Sequence, residues 1–297
     1  EANSYKPMAD NDSRISNLIS QADKMFASKN HLLKTWQEIC DYILPRKSRI
    51  LKKTTKVEPP IIIYDSTAMH ANDLLASSMQ GAFEMSRFSL AFEDEELNKN
   101  PISVAWLDDC VRKMQLAMMS SNQRSASEEV FTDLTSIGTA SMMPEEQKLK
   151  TSYFNGLQFT SFPIQDYAID TNASGKVDFW TRVIEYDYRK AIQVFGDKAG
   201  ETATKRKKSN NSTPIVYVQT ICPREDSEFD IEEKYNYIEV IINKTDKTFV
   251  SKKGHFRFPL CVPRWHTITG ENYGYSPSFN AIADVRVANK MKELNLD

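Results

Sequence analysis

The spacing of apolar residues changes once along the chain, near residue 150. Before that point they recur every three or four positions, the spacing that gives a helix one apolar face. After it, segments rich in aromatic and β-branched residues often alternate with polar ones, as in half-buried strands. The expected class is therefore α+β: N-terminal helices, a mostly antiparallel β region, and a final helix. The chain has 297 residues, 40% of them hydrophobic, which is enough to fill a core.

Two apolar stripes predict the first helices, over residues 15–26 and 32–43. Pro45 ends the second helix because its ring nitrogen cannot donate a helical hydrogen bond. A basic, turn-rich loop is expected after it, over residues 46–60. Further helices are expected at about 102–120 and 126–140.

A third helix is expected after the basic loop, where Asp65 or Ser66 can cap its free amide groups. Its predicted inward-facing residues are Ala68, Ala71, Leu75 and Met79.

The last helix is expected to begin at Ser276, with Pro277 at the first helical position, where a missing N–H costs nothing. Its apolar residues recur every three positions, so that the apolar surface winds around the helix. These residues are Ile282, Val285, Ala288, Met291 and Leu294. We therefore expect residues 284–297 to be ordered mainly by contacts with other subunits or with further chain.

Six segments after residue 150 have the composition of strands. They are LQFTSFPIQDYAID, KVDFWTRVI, TPIVYVQTIC, KYNYIEVIIN, KTFVSK and HFRFPLCV. A short helix is expected at about 187–195, followed by a solvated loop over residues 197–213. The basic run in this loop is a weak candidate for contact with phosphate groups, and a soluble loop is the alternative interpretation. The run consists of Lys205, Arg206, Lys207 and Lys208.

Chemistry-bearing motifs are not evident. The four cysteines and four histidines lack the spacing of metal ligands, and neither a GxGxxG nor a GxxxxGK[ST] phosphate loop is present. GYSPS at 274–278 lacks the second glycine of a nucleophile elbow. The formal net charge of −2 argues against tight binding of a phosphate backbone. We expect no catalytic residues, metal or cofactor, and neither nuclease nor ATPase activity.

Residues 261–277, CVPRWHTITGENYGYSP, concentrate aromatic and charged side chains before the last helix. We expect a strand-to-helix corner in which a buried Trp265 supplies apolar area and Arg264 pairs with a carboxylate or with helix-end carbonyl groups. Truncating this indole to alanine would then cost about 3–5 kcal/mol. The alternative is a subunit interface, because Trp, Tyr and Arg are favoured there. The candidate residues are Arg264, Trp265, Glu271, Tyr273 and Gly274.

Five segments, in order, resemble one known family. They are TWQEICDYILPRKS (35–48), IYDSTAMHANDLLASSMQGAF (63–83), DLTSIGTASMMPEE (133–146), YAIDTNASGKVDFWTRV (167–183) and FPLCVPRWHTITGENYGYSP (258–277). Together they resemble the portal, or head-to-tail connector, proteins of short-tailed bacteriophages. The resemblance implies a wing with a helical part at 1–150 and a β-rich part at 151–275. It also implies that residues 276–297 begin the stem, or channel, helix, the remaining stem, clip and crown being absent from this chain.

The function that the resemblance implies is structural. Portal proteins form a ring, usually of twelve subunits, at one capsid vertex, and double-stranded DNA is packaged and ejected through it. The implied partners are the major capsid and scaffolding proteins, the tail adaptor proteins and the terminase motor. The implied location is the virion, after assembly in the bacterial host cytoplasm. The alternatives are another phage tail or adaptor protein and a nucleic-acid-processing enzyme.

Overall fold

The structure is a computed structural model that describes residues 11–47, 61–85, 88–147 and 154–295. Most of the predicted basic loop, from residue 48 to residue 60, therefore lies outside the described residues.

The order of elements confirms the α+β class: helices come first, antiparallel strands follow, and a helix comes last. The elements are α1 Asn11–Ser28, α2 Asn30–Tyr42, α3 Thr67–Met85, α4 Glu95–Lys99, α5 Pro101–Met119, α6 Gln123–Ser136, β1 Ser141–Glu146, β2 Leu157–Phe162, β3 Tyr167–Thr171, β4 Val177–Tyr186, α7 Tyr188–Phe195, α8 Glu201–Ser209, β5 Ile215–Pro223, β6 Tyr237–Asn243, β7 Thr248–His255 and α9 Pro277–Leu294. None of the helices, over the residues that the structure describes, is long and apolar enough to cross a membrane.

Two compact units make up the chain, and each contains segments that are distant in sequence. The first, called here the sheet unit, comprises Glu1–Lys34 and Ile164–Pro259. The second, called here the helical unit, comprises Thr35–Pro163 and Leu260–Asp297.

The sheet unit is built on a five-stranded antiparallel sheet in which β3 to β7 are neighbours in chain order. The apolar stripe of α1 packs on this sheet, and Ala22 and Val218 are among the residues of the shared core. At one end of the sheet α7 and α8 bury Ala191 and Ala203 against Tyr217. The short helix predicted at 187–195 is thus confirmed as α7.

The loop predicted over residues 197–213 is wrong, because α8 occupies Glu201–Ser209. Its N-cap residue, Gly200, has no side chain, and Asp246 in the β6–β7 turn takes over the capping role. The Asp246 carboxylate accepts hydrogen bonds from the Thr202 amide, at 3.1 Å, and from the Thr202 hydroxyl. The buried Ala203 then gives α8 the apolar anchor that the sequence did not reveal.

Two differences concern the strands. The helix expected at 126–140 ends at Ser136, and residues 141–146 form β1, which pairs with β2. The segment HFRFPLCV forms no continuous strand after His255. Instead, Cys261 makes an isolated bridge to Met142, with N–H to O distances of 2.9 and 2.8 Å.

At the start of α3 the side-chain acceptor is Asp65, whose Oδ1 lies 3.0 Å from the Thr67 amide nitrogen. Ser66 precedes the helix, and its carbonyl accepts from the amide of His70 at 3.1 Å. The predicted inward face is partly wrong: Ala71 is exposed, whereas Asn72 and Ala76 are buried. Ala68, Leu75 and Met79 are half-buried.

Candidate functional site at the corner before α9

Two glycines of the helical unit touch at the corner before α9. Gly138 follows α6 with φ +89°, and Gly274 lies three residues before α9. A Cβ atom built on either glycine would overlap the carbonyl oxygen of the other. Since the obstacle is backbone on both sides, a side chain at either position has no free direction. Gly274 was predicted as a corner residue, but its partner Gly138 was not.

Hydrogen bonds join the two segments on both sides of this contact. The Trp265 amide donates to the Gly138 carbonyl at 2.9 Å, and the Gly274 amide donates to Thr139 Oγ1 at 2.8 Å. Thr139 and Arg264 also form an isolated antiparallel bridge. Most of these groups are buried, and a buried polar group without a hydrogen bond destabilises the fold, so each of these bonds satisfies a group that would otherwise be costly to bury.

The end of α6 is completed by hydroxyl groups from the start of α9. Ser276 Oγ donates to the Ser136 carbonyl, and Ser278 Oγ donates to the Thr135 carbonyl at 3.2 Å. These carbonyls belong to the last turn of a helix, where intrahelical partners are missing. Ser276 occupies the N-cap position of α9 and Pro277 the next one, but the Ser276 side chain makes no capping bond there. The predicted capping role of its hydroxyl is therefore wrong.

The aromatic residue at the centre of the corner is Tyr273. It is 1% exposed and meets the buried ring of Trp36 edge to face, with ring centroids 5.3 Å apart. Arg264 Nη1 donates to the Asn272 carbonyl at 3.2 Å, and burial lowers the pKa of this guanidinium. The Asn272 carbonyl lies in the loop before α9 and is not one of the helix-end carbonyl groups that were expected as partners of Arg264. Glu271 is half-buried nearby in sequence.

The prediction of a buried indole at Trp265 is wrong, because this residue is 38% exposed. Its backbone amide forms the corner while much of its ring faces solvent. A loss of 3–5 kcal/mol on truncation therefore no longer follows for Trp265. The large buried indole of the helical unit is Trp36, which the sequence placed in the apolar stripe at 32–43 but did not connect with the corner.

A buried asparagine ties α9 to the segment before α3. Asn289 Oδ1 accepts from the amides of Tyr64 and Asp65 at 2.7 and 3.1 Å, and its Nδ2 donates to the Ile62 carbonyl at 3.3 Å. Lys292 pairs with Asp65 at 2.8 Å, which lowers the pKa of that carboxyl. The helical unit thus supplies contacts of its own to residues 284–297, and the expectation that these residues are ordered mainly by outside contacts stays a prediction.

The opposite face of α9 is apolar and exposed. Val287, Met291 and Leu294 are spaced by four and three residues, and each is more than half exposed. At about 100° per residue they lie roughly opposite Ile282 and Asn289, which are buried. The two apolar sides that the threefold spacing predicted are thus present, one of them facing away from the helical unit.

An ion pair with a buried carboxylate lies after the C-terminal end of α2. Lys47 Nζ is 2.6 Å from Asp133 Oδ1, and Asp133 is 5% exposed. Burial raises the pKa of Asp133, and the charge of Lys47 opposes that rise. Burial, with a smaller effect of Asp133, also raises the pKa of the Cys40 thiol to about 12. No sequence motif paired these residues, which are 86 positions apart.

We expect Lys47→Met to lower the free energy of unfolding by about 2 kcal/mol at neutral pH, because it leaves a buried carboxylate without its cation. The folded-state pKa of Asp133 is already raised, so removing Lys47 raises it further. Stability linked to this carboxyl is fully present below its unfolded pKa and is lost as pH rises through the folded pKa. Urea titrations should therefore show a loss that is small near pH 4 and grows towards pH 7.

The control is Lys113→Met, which removes an exposed partner of Asp109. The claim that Lys47 stabilises the buried Asp133 carboxylate would be contradicted if Lys47→Met lost the same unfolding free energy at both pH values. A loss no larger than that of Lys113→Met would contradict it too.

The basic run of the sheet unit is helical and partly engaged. Lys205 pairs with Glu201 at 3.0 Å, and Arg206 Nη1 donates to the carbonyls of residues 213 and 214 at 2.6 and 2.9 Å. Lys207 and Lys208 are exposed. Over the described part of the chain, no group of three or more His, Cys, Asp or Glu residues could hold a metal ion.

Known proteins similar to this chain belong to one class. Residues 16–297 match the model of a family described as bacteriophage head to tail connecting protein. A curated relative, the probable portal protein of Bordetella phage BPP-1, is 25% identical over 282 residues. The match covers 91% of this chain and 50% of the relative, so the chain spans about half of the relative's length.

Proposed function

The chain belongs to the family of bacteriophage head-to-tail connecting proteins, as the five segments predicted, and we propose that it acts as a portal subunit. Copies of it would form a ring, of about twelve subunits in the family pattern, at one vertex of the capsid. Double-stranded DNA would pass through the ring during packaging and ejection, and the tail would attach to it. The observation that carries this proposal is the family match over residues 16–297.

In this proposal the wing comprises residues 1–150 and 151–275, and residues 276–297 begin the stem helix. The two-sided character of α9 supports the last assignment. One side is held to the helical unit through Asn289, and the other exposes Val287, Met291 and Leu294. A helix that exposes an apolar stripe while docked on its own unit is suited to contact another chain.

The corner before α9 then has a mechanical role. Its glycine contact and its hydroxyl bonds join α6 to the start of α9, so that α9 begins at a fixed position and in one defined direction relative to α6. We assign Arg264, Glu271, Tyr273 and Gly274 to this corner, and the exposed ring of Trp265 to contact with a neighbouring subunit.

The partners follow from the same proposal. They are the major capsid and scaffolding proteins, the tail adaptors, the terminase motor during packaging, and the DNA itself. The protein is proposed as a structural component, since energy for DNA movement would come from the terminase. The net charge of −2 supports this role, because many phosphate contacts would hold the DNA instead of letting it slide. Assembly is proposed in the host cytoplasm, and the final location is the head–tail junction of the virion.

Negative-stain imaging of the full-length protein tests the proposal. We expect rings with an axial opening, and a marked loss of rings for Met291→Asp, because a carboxylate would enter an apolar contact. Lys290→Gln, on the exposed polar side of α9, is the matched control and should leave the rings intact. A protein that stays monomeric and cleaves DNA with a metal ion would overturn the proposal. An assembly without an axial opening would instead favour a tail adaptor.

A further inference from the structure

Two segments of opposite net charge lie at opposite ends of the five-stranded sheet. Strand β5 has nine residues and runs from one end to the other, a distance of about 26 Å at about 3.3 Å per residue. Helices α7 and α8 lie at its first residue, Ile215, and the loop 224–236 follows its last residue, Pro223. Because β4 and β6 are antiparallel to β5, the α7 and α8 segment and the loop 224–236 stay at separate ends.

The end formed by α7 and α8 is basic. Residues 187–209 include seven lysine or arginine residues and three acidic residues, a net charge of +4 in a chain whose total is −2. Some of these cations are already paired, as Lys205 is with Glu201. Four others are exposed and make no ion pair with any residue that the structure describes: Lys190, Lys198, Lys207 and Lys208.

The opposite end is acidic. Residues 224–234 include six acidic and two basic residues, a net charge of −4. Glu232 is paired with Lys234 at 2.6 Å. Four other acidic residues are exposed, and their carboxylates form no ion pair with any residue in the described ranges: Glu225, Asp226, Asp230 and Glu233. The net charges of these two segments are therefore equal in size and opposite in sign.

Both charged segments are held in place by the fold. The Asp246 carboxylate caps α8, and Ala203 buries its inner side. In the acidic loop, Lys252 Nζ donates to the Asp230 carbonyl at 2.6 Å. The ring of Tyr235 packs on Gly254, where a Cβ atom would overlap it. Charges on ordered segments lose less conformational entropy when they meet a partner than charges on flexible tails do.

We propose that the basic end of one copy contacts the acidic end of the next copy around the ring. The inference rests on the proposed function, because a ring of identical subunits needs two different, complementary surfaces on each subunit. Surfaces at opposite ends of one sheet can repeat head to tail. An antiparallel pair would also match the charges, but it would close at two copies. Complementary charge also fixes the partner and register of such a contact.

Charge reversal tests the contact. We expect Lys207→Glu with Lys208→Glu, or Asp230→Lys with Glu233→Lys, to lower the fraction of chains in rings at least tenfold in 0.1 M salt. A chain carrying all four changes should recover most of the rings, because complementarity is restored with its direction exchanged. Lys24→Glu with Lys34→Glu is the control for the change in net charge: both residues are exposed in the sheet unit and lie outside residues 187–209 and 224–234. Rings of the parent should also weaken in 1 M salt, where the Debye length is about 3 Å.

The outcomes separate this inference from the proposed function. Rings of the parent and of both reversed variants in equal amounts would overturn the contact and leave the portal function standing. Dimers of the parent in place of rings, dissociated by either charge reversal, would favour the antiparallel pair and overturn the head-to-tail contact. Intact rings of Lys207→Glu with Lys208→Glu that no longer retain DNA would show that the basic end binds nucleic acid instead. A parent that forms no ring would overturn both proposals.

Discussion

Replacing Gly138 by alanine is expected to unfold the helical unit under conditions in which the parent is folded. Gly138 has φ +89°, a conformation that costs an L-residue about 1–2 kcal/mol. The larger cost is steric, because the new methyl group would overlap the carbonyl carbon and oxygen of Gly274 and the amide nitrogen of Ser276. Relief requires the end of α6 to separate from the start of α9, which breaks the hydrogen bonds of the corner. We expect a total loss of about 4 kcal/mol or more.

The matched control is Gly270→Ala in the same unit. Gly270 has φ +92° but no atom close to the position of a new Cβ, so it isolates the backbone strain from the overlap. Thermal melting followed by circular dichroism should show a shift of a few degrees for Gly270→Ala and a loss of the folded baseline for Gly138→Ala. Equal melting temperatures for the two variants would show that the glycine contact does not hold the corner.

The elements that could be predicted from sequence are those whose causes are local. The stripe of α1 is a property of eighteen consecutive residues, and its apolar positions are the ones that pack on the sheet. Strands β4 to β6 were recognisable because aromatic and β-branched residues are concentrated in short segments of consecutive chain. Pro277 marked the start of α9 in the same way, since the preference of proline for this position needs no distant partner.

Elements with distant causes could not be predicted. Helix α8 is short and polar, and it is capped by Asp246, 44 positions away from Thr202. Strand β1 exists because residues 141–146 pair with β2, and an apolar run that includes Met142 and Met143 fits a helix equally well before that pairing is known. The buried face of α3 differs from the predicted one for a similar reason. Packing on α6 sets this face and places Asn72 inward.

The corner before α9 shows the same division within one site. Tyr273, Gly274 and Ser276 could be recognised as unusual because they crowd into a few residues. Their partners could not, since Gly138, Thr139 and Ser136 lie about 135–140 positions earlier in the chain. The exposed ring of Trp265 shows why residue type alone does not predict burial. An indole supplies apolar area equally well to a core or to an interface.

Replacing Lys29 by methionine is expected to lower the free energy of unfolding of the sheet unit by about 3 kcal/mol or more. Lys29 lies between α1 and α2 and is 2% exposed. Its Nζ donates to the carbonyls of Ile164 and Tyr167 at 2.7 and 2.6 Å, and it lies 3.3 Å from the Gln165 carbonyl oxygen. These carbonyls lead into β3. Methionine keeps the length of the side chain but has no donor, so the buried carbonyl groups would lose bonds that no solvent can replace.

Lys24→Met provides the comparison, since Lys24 is an exposed lysine of α1, one of the elements that flank Lys29. In urea titrations the free energy of unfolding of Lys29→Met should fall by the amount given above, whereas that of Lys24→Met should stay close to the parent value. Amide exchange should locate the effect of Lys29→Met at β3, with faster exchange at Ala168 and Ile169, which are buried in the parent. If both variants unfold at the same urea concentration, the ammonium group at Lys29 does not stabilise the sheet unit. If Lys29→Met loses stability but exchange at β3 is unchanged, the loss comes from α1 packing and not from the carbonyl groups.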